Sequence, residues 1–183
     1  MKFTPQSIPE IILIEPQVHG DARGYFVETF RQDLFAKEIG TVNLLQDNES
    51  KSKLGTLRGL HYQLPPFAQS KLVRVVDGVV LDVAVDIRKC SPTFGKHVAI
   101  ELSGENKKQI FIPRGFAHGF LVLSETATFC YKVDNYYSKE CDRGISYCDE
   151  ELGIDWRLPH EQLLLSEKDK RAIKFKDADL FEY

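Results

Sequence analysis

The stretch KLVRVVDGVVLDVAVDI, Lys71 to Ile87, decides how this chain is read. It is rich in β-branched residues, and its main break is Asp77-Gly78, a dipeptide suited to a two-residue hairpin turn. Two strands joined by that turn are expected. Similar short runs, HVAIELS, KQIFIP, FLVLS and TATFCYKVDNYY, follow between turn residues. Together they predict an all-β sandwich or barrel core, a jelly roll of two packed sheets. Helix signals are few and peripheral. RQDLFAKEIG puts Leu34, Phe35 and Ile39 on one side and ends at Gly40, a C-cap residue. In LLLSEKDKRA, Ser166 and Asp169 read as an N-cap and its third helical residue.

A chain of 183 residues is long enough for one domain with a real core, and no repeat, low-complexity tract or linker divides it, so residues 1–183 are expected to form a single domain. The formal net charge of -3, with Lys and Arg scattered, excludes a basic stripe that would track a nucleic acid. Cys90, Cys130, Cys141 and Cys148 show no C-x-x-C pairing and read as reduced thiols. The N-terminus, MKFTPQSIPEIILIEP, is punctuated by prolines and carries no long apolar run, so neither a signal peptide nor a membrane span is expected. A cytoplasmic protein is the consequence.

Strand parity picks out the polar residues of this core. Along Val79 to Arg88, Val79, Leu81, Val83 and Val85 share one face, and Asp82, Ala84 and Asp86 share the other, which makes the two acids candidates for a wet face or polar cavity. In RGLHYQL, His61 and Gln63 share a face, and Arg58 joins them only if Gly59 is a bulge that resets the alternation. The bulge is the expectation here. In IPRGFAHGFL, Pro113 and Gly115 make a turn and His118 enters the next strand. A lone strand histidine is more often a hydrogen-bonded, partly buried residue than a catalyst. Arg58, His61, Lys71, Asp82 and His118 together, however, are an unusual density of polar groups for a core, of the kind a ligand site tolerates. Taken alone, Lys71 reads equally as an edge-strand gatekeeper. His19, His97 and His160 lie in turn-like or exposed contexts and are assigned no role.

The two histidine stretches resemble the cupin motifs. Metal-binding cupins carry H-x-H and a nearby glutamate in the first motif and another histidine in the second. Here Tyr62-Gln63 follows His61, so the second histidine and the carboxylate are missing. Two imidazoles fall short of the three or four protein ligands that such ions usually take, and no metal or other cofactor is expected. His61 and His118 are left for acid–base and phosphate work.

DARGYFVETF, LLQDNESKSKLGTLRGLHYQ, KLVRVVDGVVLDVAVDIRKCSPTFGK, IPRGFAHGFLVL, YKVDNYYS and LGIDWRLPHEQLLLSEKD, in that order, resemble the dTDP-4-dehydrorhamnose 3,5-epimerase family over nearly the whole chain. The resemblance implies a metal-free, homodimeric cupin jelly roll. It further implies an isomerase that inverts C3 and C5 of dTDP-4-dehydro-6-deoxy-D-glucose in dTDP-L-rhamnose synthesis for cell-surface polysaccharide. The C4 ketone acidifies the protons on C3 and C5, so a base removes one to give an enolate and an acid on the other ring face returns it inverted. By the same resemblance His61 is the base, Tyr131 the acid and Asp169 the partner of His61. A histidine titrates near neutral pH and a tyrosine, with pKa ~10, keeps its proton to donate. Asp169 also fits a capping box, and the two roles are compatible. Lys71 matches the lysine that stabilises the developing enolate.

Substrate contacts are implied at Arg23, Arg58 and His118, around the phosphates and sugar, where an arginine fork binds two oxygens at once. Glu28, Gln46, Asp47 and Asn48 match nucleotide-contacting segments, and Tyr137 the residue that stacks on thymine. Asp82, Asp142 and Lys168 complete the expected contact set. His97 departs from the family pattern, which more often has an aromatic there. The rivals are an epimerase of C3 or C5 alone, a sugar-nucleotide 3,4-ketoisomerase, a non-catalytic sugar-nucleotide binding protein and a metal-dependent cupin oxygenase. The set His61, Lys71, Tyr131 and Asp169 argues against the ketoisomerase. Nucleotide binding without solvent exchange would mark the binding protein, and loss of activity on chelation the oxygenase.

Overall fold

A computed structural model of the chain describes residues 1–183. Its strands are β1 (Lys2–Pro5), β2 (Ile12–Glu15), β3 (Val18–Asp21), β4 (Gly24–Val27), β5 (Gln46–Lys53), β6 (Leu57–Gln63) and β7 (Lys71–Asp77). They continue as β8 (Val79–Asp86), β9 (His97–Ser103), β10 (Gln109–Ile112), β11 (Phe116–Val122), β12 (Thr126–Val133) and β13 (Asp142–Gly144), with helices α1 (Gln32–Glu38) and α2 (Glu167–Lys170). A six-stranded sheet in the order β1-β2-β10-β7-β12-β5 packs on a five-stranded sheet, β13-β6-β11-β8-β9. The hairpin β3–β4 belongs to neither. This is the expected two-sheet sandwich with a small helical fringe.

The layers follow from alternation. From the larger sheet Val73, Val75, Ile110, Ala127 and Phe129 meet Val80, Ala84, Phe116 and Phe120 of the smaller one, forming the core between the sheets. The opposite face of the smaller sheet, Leu81, Val83 and Val85 with Leu57, Leu60 and Leu121, is covered by Tyr147, Trp156, Phe175 and Phe181 of the C-terminal segment. β8 is thus buried on both faces, and Asp82 and Asp86 are fully buried. The expected wet face is corrected: Asp82 looks into the interior between the sheets, and Asp86 is tied down by Arg88, Ser91 and Thr93.

Asp77-Gly78 makes no hairpin. β7 belongs to the larger sheet and β8 to the smaller, so the dipeptide is a corner that carries the chain across the sandwich. Gly78 has φ +80°, and a Cβ there would lie 2.1 Å from the Thr126 carbonyl oxygen. The turn chemistry is the expected one, yet a left-handed glycine does not dictate that its flanking strands pair. Here β7 pairs with β10 and β12 instead.

The segments KSKLGT and SKECDR, mostly polar and without apolar alternation, also contribute to strands. QDNESKSK is the edge strand β5, paired along its length with β12, and its alternating burial is hidden by an almost wholly polar composition. Asp142 starts β13, which pairs with β6 and sets Gly144 opposite His61. The two predicted helices form, shorter than the sequence suggested: α1 buries Phe35 and is followed by Gly40 at φ +116°.

Candidate active site

A cavity of about 540 Å³ opens between the sheets, lined among others by Arg58, His61, Lys71, His118, Tyr131 and Asp169. The bulge expected at Gly59 makes this convergence possible. β6 and β11 pair His61 with His118 but Arg58 with Phe120, so three residues of one strand span two of the other. That extra residue turns Arg58 and His61 to the same side. Gly59 has φ +121°, and a Cβ there would sit 2.5 Å from Gly119 Cα, so close an approach admits only glycine.

His61 and Asp169 come from distant parts of the chain. Ser166 caps α2 by accepting from the Asp169 amide at 3.1 Å, and its hydroxyl donates to Asp169 Oδ2 at 2.6 Å. The other oxygen, Oδ1, lies 2.6 Å from His61 Nε2. Asp169 therefore belongs to a helix cap and a histidine pair at once. Burial pushes its carboxyl upward, but the hydrogen bonds from His61 and Ser166 outweigh that and hold it below the usual carboxylate range.

Tyr131 projects from β12, in the sheet opposite to His61, and lines the facing wall of the cavity. Burial raises its pKa, with Arg58 opposing, so its hydroxyl stays protonated. Lys71 starts β7, with its Nζ 3.5 Å from the His61 carbonyl oxygen and no carboxylate in salt-bridge contact. Burial lowers its pKa to about 8, against the pull of Asp82 and Asp142. Arg58 also lacks a carboxylate partner and bonds only Ser52 Oγ, at 3.1 and 3.3 Å. An unpaired guanidinium on a cavity wall is available to an anionic group.

His118 lines the cavity beside His61, and its Nε2 is 2.9 Å from Asp82 Oδ2. Asp82, expected among the substrate contacts, has no exposed surface and does not line the cavity; it stands beneath His118. Burial lowers the His118 pKa despite Asp82.

The remaining expected residues gather at three places. Asn48 lines the cavity and also an adjoining hollow of about 330 Å³ that includes Asp47, which is paired with Lys132. Gln46 donates to Asn48 at 2.7 Å, and Glu28 is exposed one residue before Thr29, which lines that hollow. Tyr137 and Lys168 both donate to Asp142, at 3.1 and 2.5 Å, in a cluster whose charges reach Lys71. Arg23 is not brought to the cavity. It lies on the β3–β4 hairpin, bonded to Asp21, with its side chain 90% exposed.

Sequence reasoning had no place for Ser52, which holds Arg58, or for Phe120 and Phe129, stacked at 3.9 Å behind the cavity. Nothing in a polar strand or an apolar run marks such residues. No group of three or more His, Cys, Asp or Glu side chains is placed to hold a metal ion.

The family model described as dTDP-4-dehydrorhamnose 3,5-epimerase matches residues 5–177. The chain belongs to this family. The enzyme of that name from Shigella flexneri is 55% identical over 182 residues, covering 99% of each chain. The epimerase of Legionella pneumophila, solved in complex with dTDP-4-keto-L-rhamnose, superposes with a TM-score of 0.96 at 48% identity, over 100% of this chain and 98% of that one. A dTDP-4-dehydrorhamnose 3-epimerase from Streptomyces niveus is less similar, 36% identical over 97% of this chain and 86% of its own. The family's cupin frame is therefore that of the sandwich described above.

Proposed function

We propose that this chain is an isomerase that inverts C3 and C5 of dTDP-4-dehydro-6-deoxy-D-glucose, giving dTDP-4-dehydro-L-rhamnose. The observation that carries the reading is the placement of a His61–Asp169 pair and Tyr131 on opposite walls of one cavity, in a chain of this family. Inversion needs base and acid on opposite ring faces. His61 takes the proton from C3 or C5 while Asp169 stabilises the imidazolium formed. The electron pair moves onto the C4 oxygen, where the Lys71 ammonium meets the developing charge. Tyr131 returns a proton to the other face. Arg58 binds phosphate oxygens, Asp142, Lys168 and Tyr137 line the approach, and Glu28 with Gln46, Asp47 and Asn48 contacts the nucleotide. The whole chain acts as one epimerase domain.

We further propose a cytoplasmic homodimer. No helix is long and apolar enough to cross a membrane. The β3–β4 hairpin exposes Tyr25 at 59% and Phe26 at 65% beside Arg23, an apolar surface that suits a protein contact. Arg23 meets a substrate only if this arm reaches the cavity of a second copy.

Proton exchange at C3 and C5, followed by NMR in heavy water with a chelator present, tests the reaction. Exchange at both carbons, and dTDP-L-rhamnose trapped by a partner reductase and NADPH, is expected. Exchange at one carbon alone would replace the reading with a single-site epimerase. Sedimentation tests the dimer, which should dissociate or weaken when Tyr25 and Phe26 are changed to Ser.

A further inference from the structure

Asp82 has an unusual position. It is fully buried between the sheets, its Oδ2 is spent on His118 Nε2 at 2.9 Å, and its Oδ1 has no hydrogen-bond partner. A buried carboxylate with one oxygen unsatisfied is costly, and such a group calls for an explanation outside folding. Its neighbour supplies one. An ionised carboxylate only accepts, so the proton of the pair sits on His118 Nε2. Thr4 Oγ1 and Asp82 Oδ1 are the buried side-chain polar atoms without partners. His118 Nδ1 makes no hydrogen bond within the chain and is not one of them, so it opens on the cavity that its ring lines.

We propose that Asp82 is a positioning residue: it fixes the single proton of a neutral His118 on Nε2, so that Nδ1 accepts a hydrogen bond from a hydroxyl of the bound sugar. The groups facing His118 support the neutral ring. Burial, Lys71 from β7 and His61 from β6 all disfavour a second proton, and only Asp82 from β8 favours it. A diphosphate oxygen offers no proton to such a nitrogen. His118 therefore reads the sugar, and Arg58 is left to the phosphates. Asp82 also acts on Lys71, whose ammonium it favours against burial.

This inference rests on the nucleotide-sugar reading of the cavity, and two measurements separate their fates. In wild-type protein labelled with 15N-histidine, His118 should show a protonated Nε2 and an unprotonated Nδ1 from about pH 6 to 8, assigned against His118→Asn. An imidazolium there, or a proton on Nδ1, overturns the inference even with the epimerase intact. In the second, Asp82→Asn should bind dTDP as wild type does but a dTDP-linked glucose about tenfold more weakly, with KM rising more than kcat falls. Equal weakening of both ligands would place His118 on the diphosphate and overturn the sugar assignment. Should Asp82→Asn fail to fold, the wild-type spectrum still decides. Failure of the wild type to bind dTDP at all would overturn the epimerase reading and the sugar assignment together.

Discussion

Two His–Asp pairs meet one cavity through their histidines, which lie on directly paired strands, His61 opposite His118. Their residue types are the same and their surroundings are not. The His61 side chain is 31% exposed, and its Asp169 is satisfied by a serine hydroxyl on a helix cap as well as by the ring. The His118 side chain is 7% exposed, with an aspartate that has one oxygen unpaired and no contact with solvent. A partly open histidine backed by a fully bonded carboxylate is within reach of a substrate and keeps an oriented partner for its ring. A sealed one resists a second charge. On the proposed function the difference separates a proton carrier from a fixed hydrogen-bonding surface, and it comes from the environment and not from the residue.

The sharpest way to break this comparison is His61→Ala. Turnover should fall about 10²–10⁴-fold, the usual worth of a general base, while dTDP affinity stays near wild type. Turnover near wild type would remove His61 from the role. Tyr131→Phe should cut product formation by about 10²-fold yet leave deuterium wash-out from the substrate measurable, because removal precedes return of the proton. Equal loss of both would mean that Tyr131 is not the separate acid. Asp169→Asn is expected to lower kcat at least tenfold, through a wrong tautomer and a weaker imidazolium, in contrast with the KM effect expected of Asp82→Asn. Matching kinetic signatures for the two variants would erase the distinction between the pairs.

Smaller effects sharpen it. With the Lys71 pKa lowered to about 8, kcat should decline as pH rises through that value. The stability sign is opposite. Because the folded pKa lies below the unfolded value of 10.5, the unfolded chain binds more protons between them, and stability from this group should rise over that window. Asp169 gives the same sign in the acid range, there as a stabilisation gained and not a penalty relieved. Its folded pKa is below 3.8, so its contribution is full above that value and is lost as pH falls through the folded one. Melting temperature against pH reads both limbs, and Lys71→Met should flatten the alkaline one alone. Ser166→Ala should cost about 1 kcal/mol as a lost cap, with a smaller fall in kcat than Asp169→Asn, measurable by urea unfolding and steady-state kinetics.

Much of this arrangement was legible before the fold was seen. Alternation and turn residues marked the strands β7 to β12, and Gly59 announced a bulge because Arg58 and His61 otherwise point apart. Ser166 and Asp169 were legible as a cap, since both partners lie within one turn. The strand β5 was not, for an edge strand with a solvated face needs no apolar alternation. Nor was the environment of Asp82, because parity says which residues share a face and not what covers it.

The sequence by itself determined the two-sheet class, the bulge, the helix cap and, through ordered motifs, the family. Local chemistry suffices for these, as periodicity, a left-handed glycine and a capping serine act over a few residues. Only the tertiary structure decided that Asp77-Gly78 is a corner, that His61 meets Asp169 across 108 positions of chain, and that Arg23 stands away from its own cavity. Those outcomes depend on which strands find one another and what each face then buries. Such partnerships are chosen by the whole packed core, where no single stretch carries the preference.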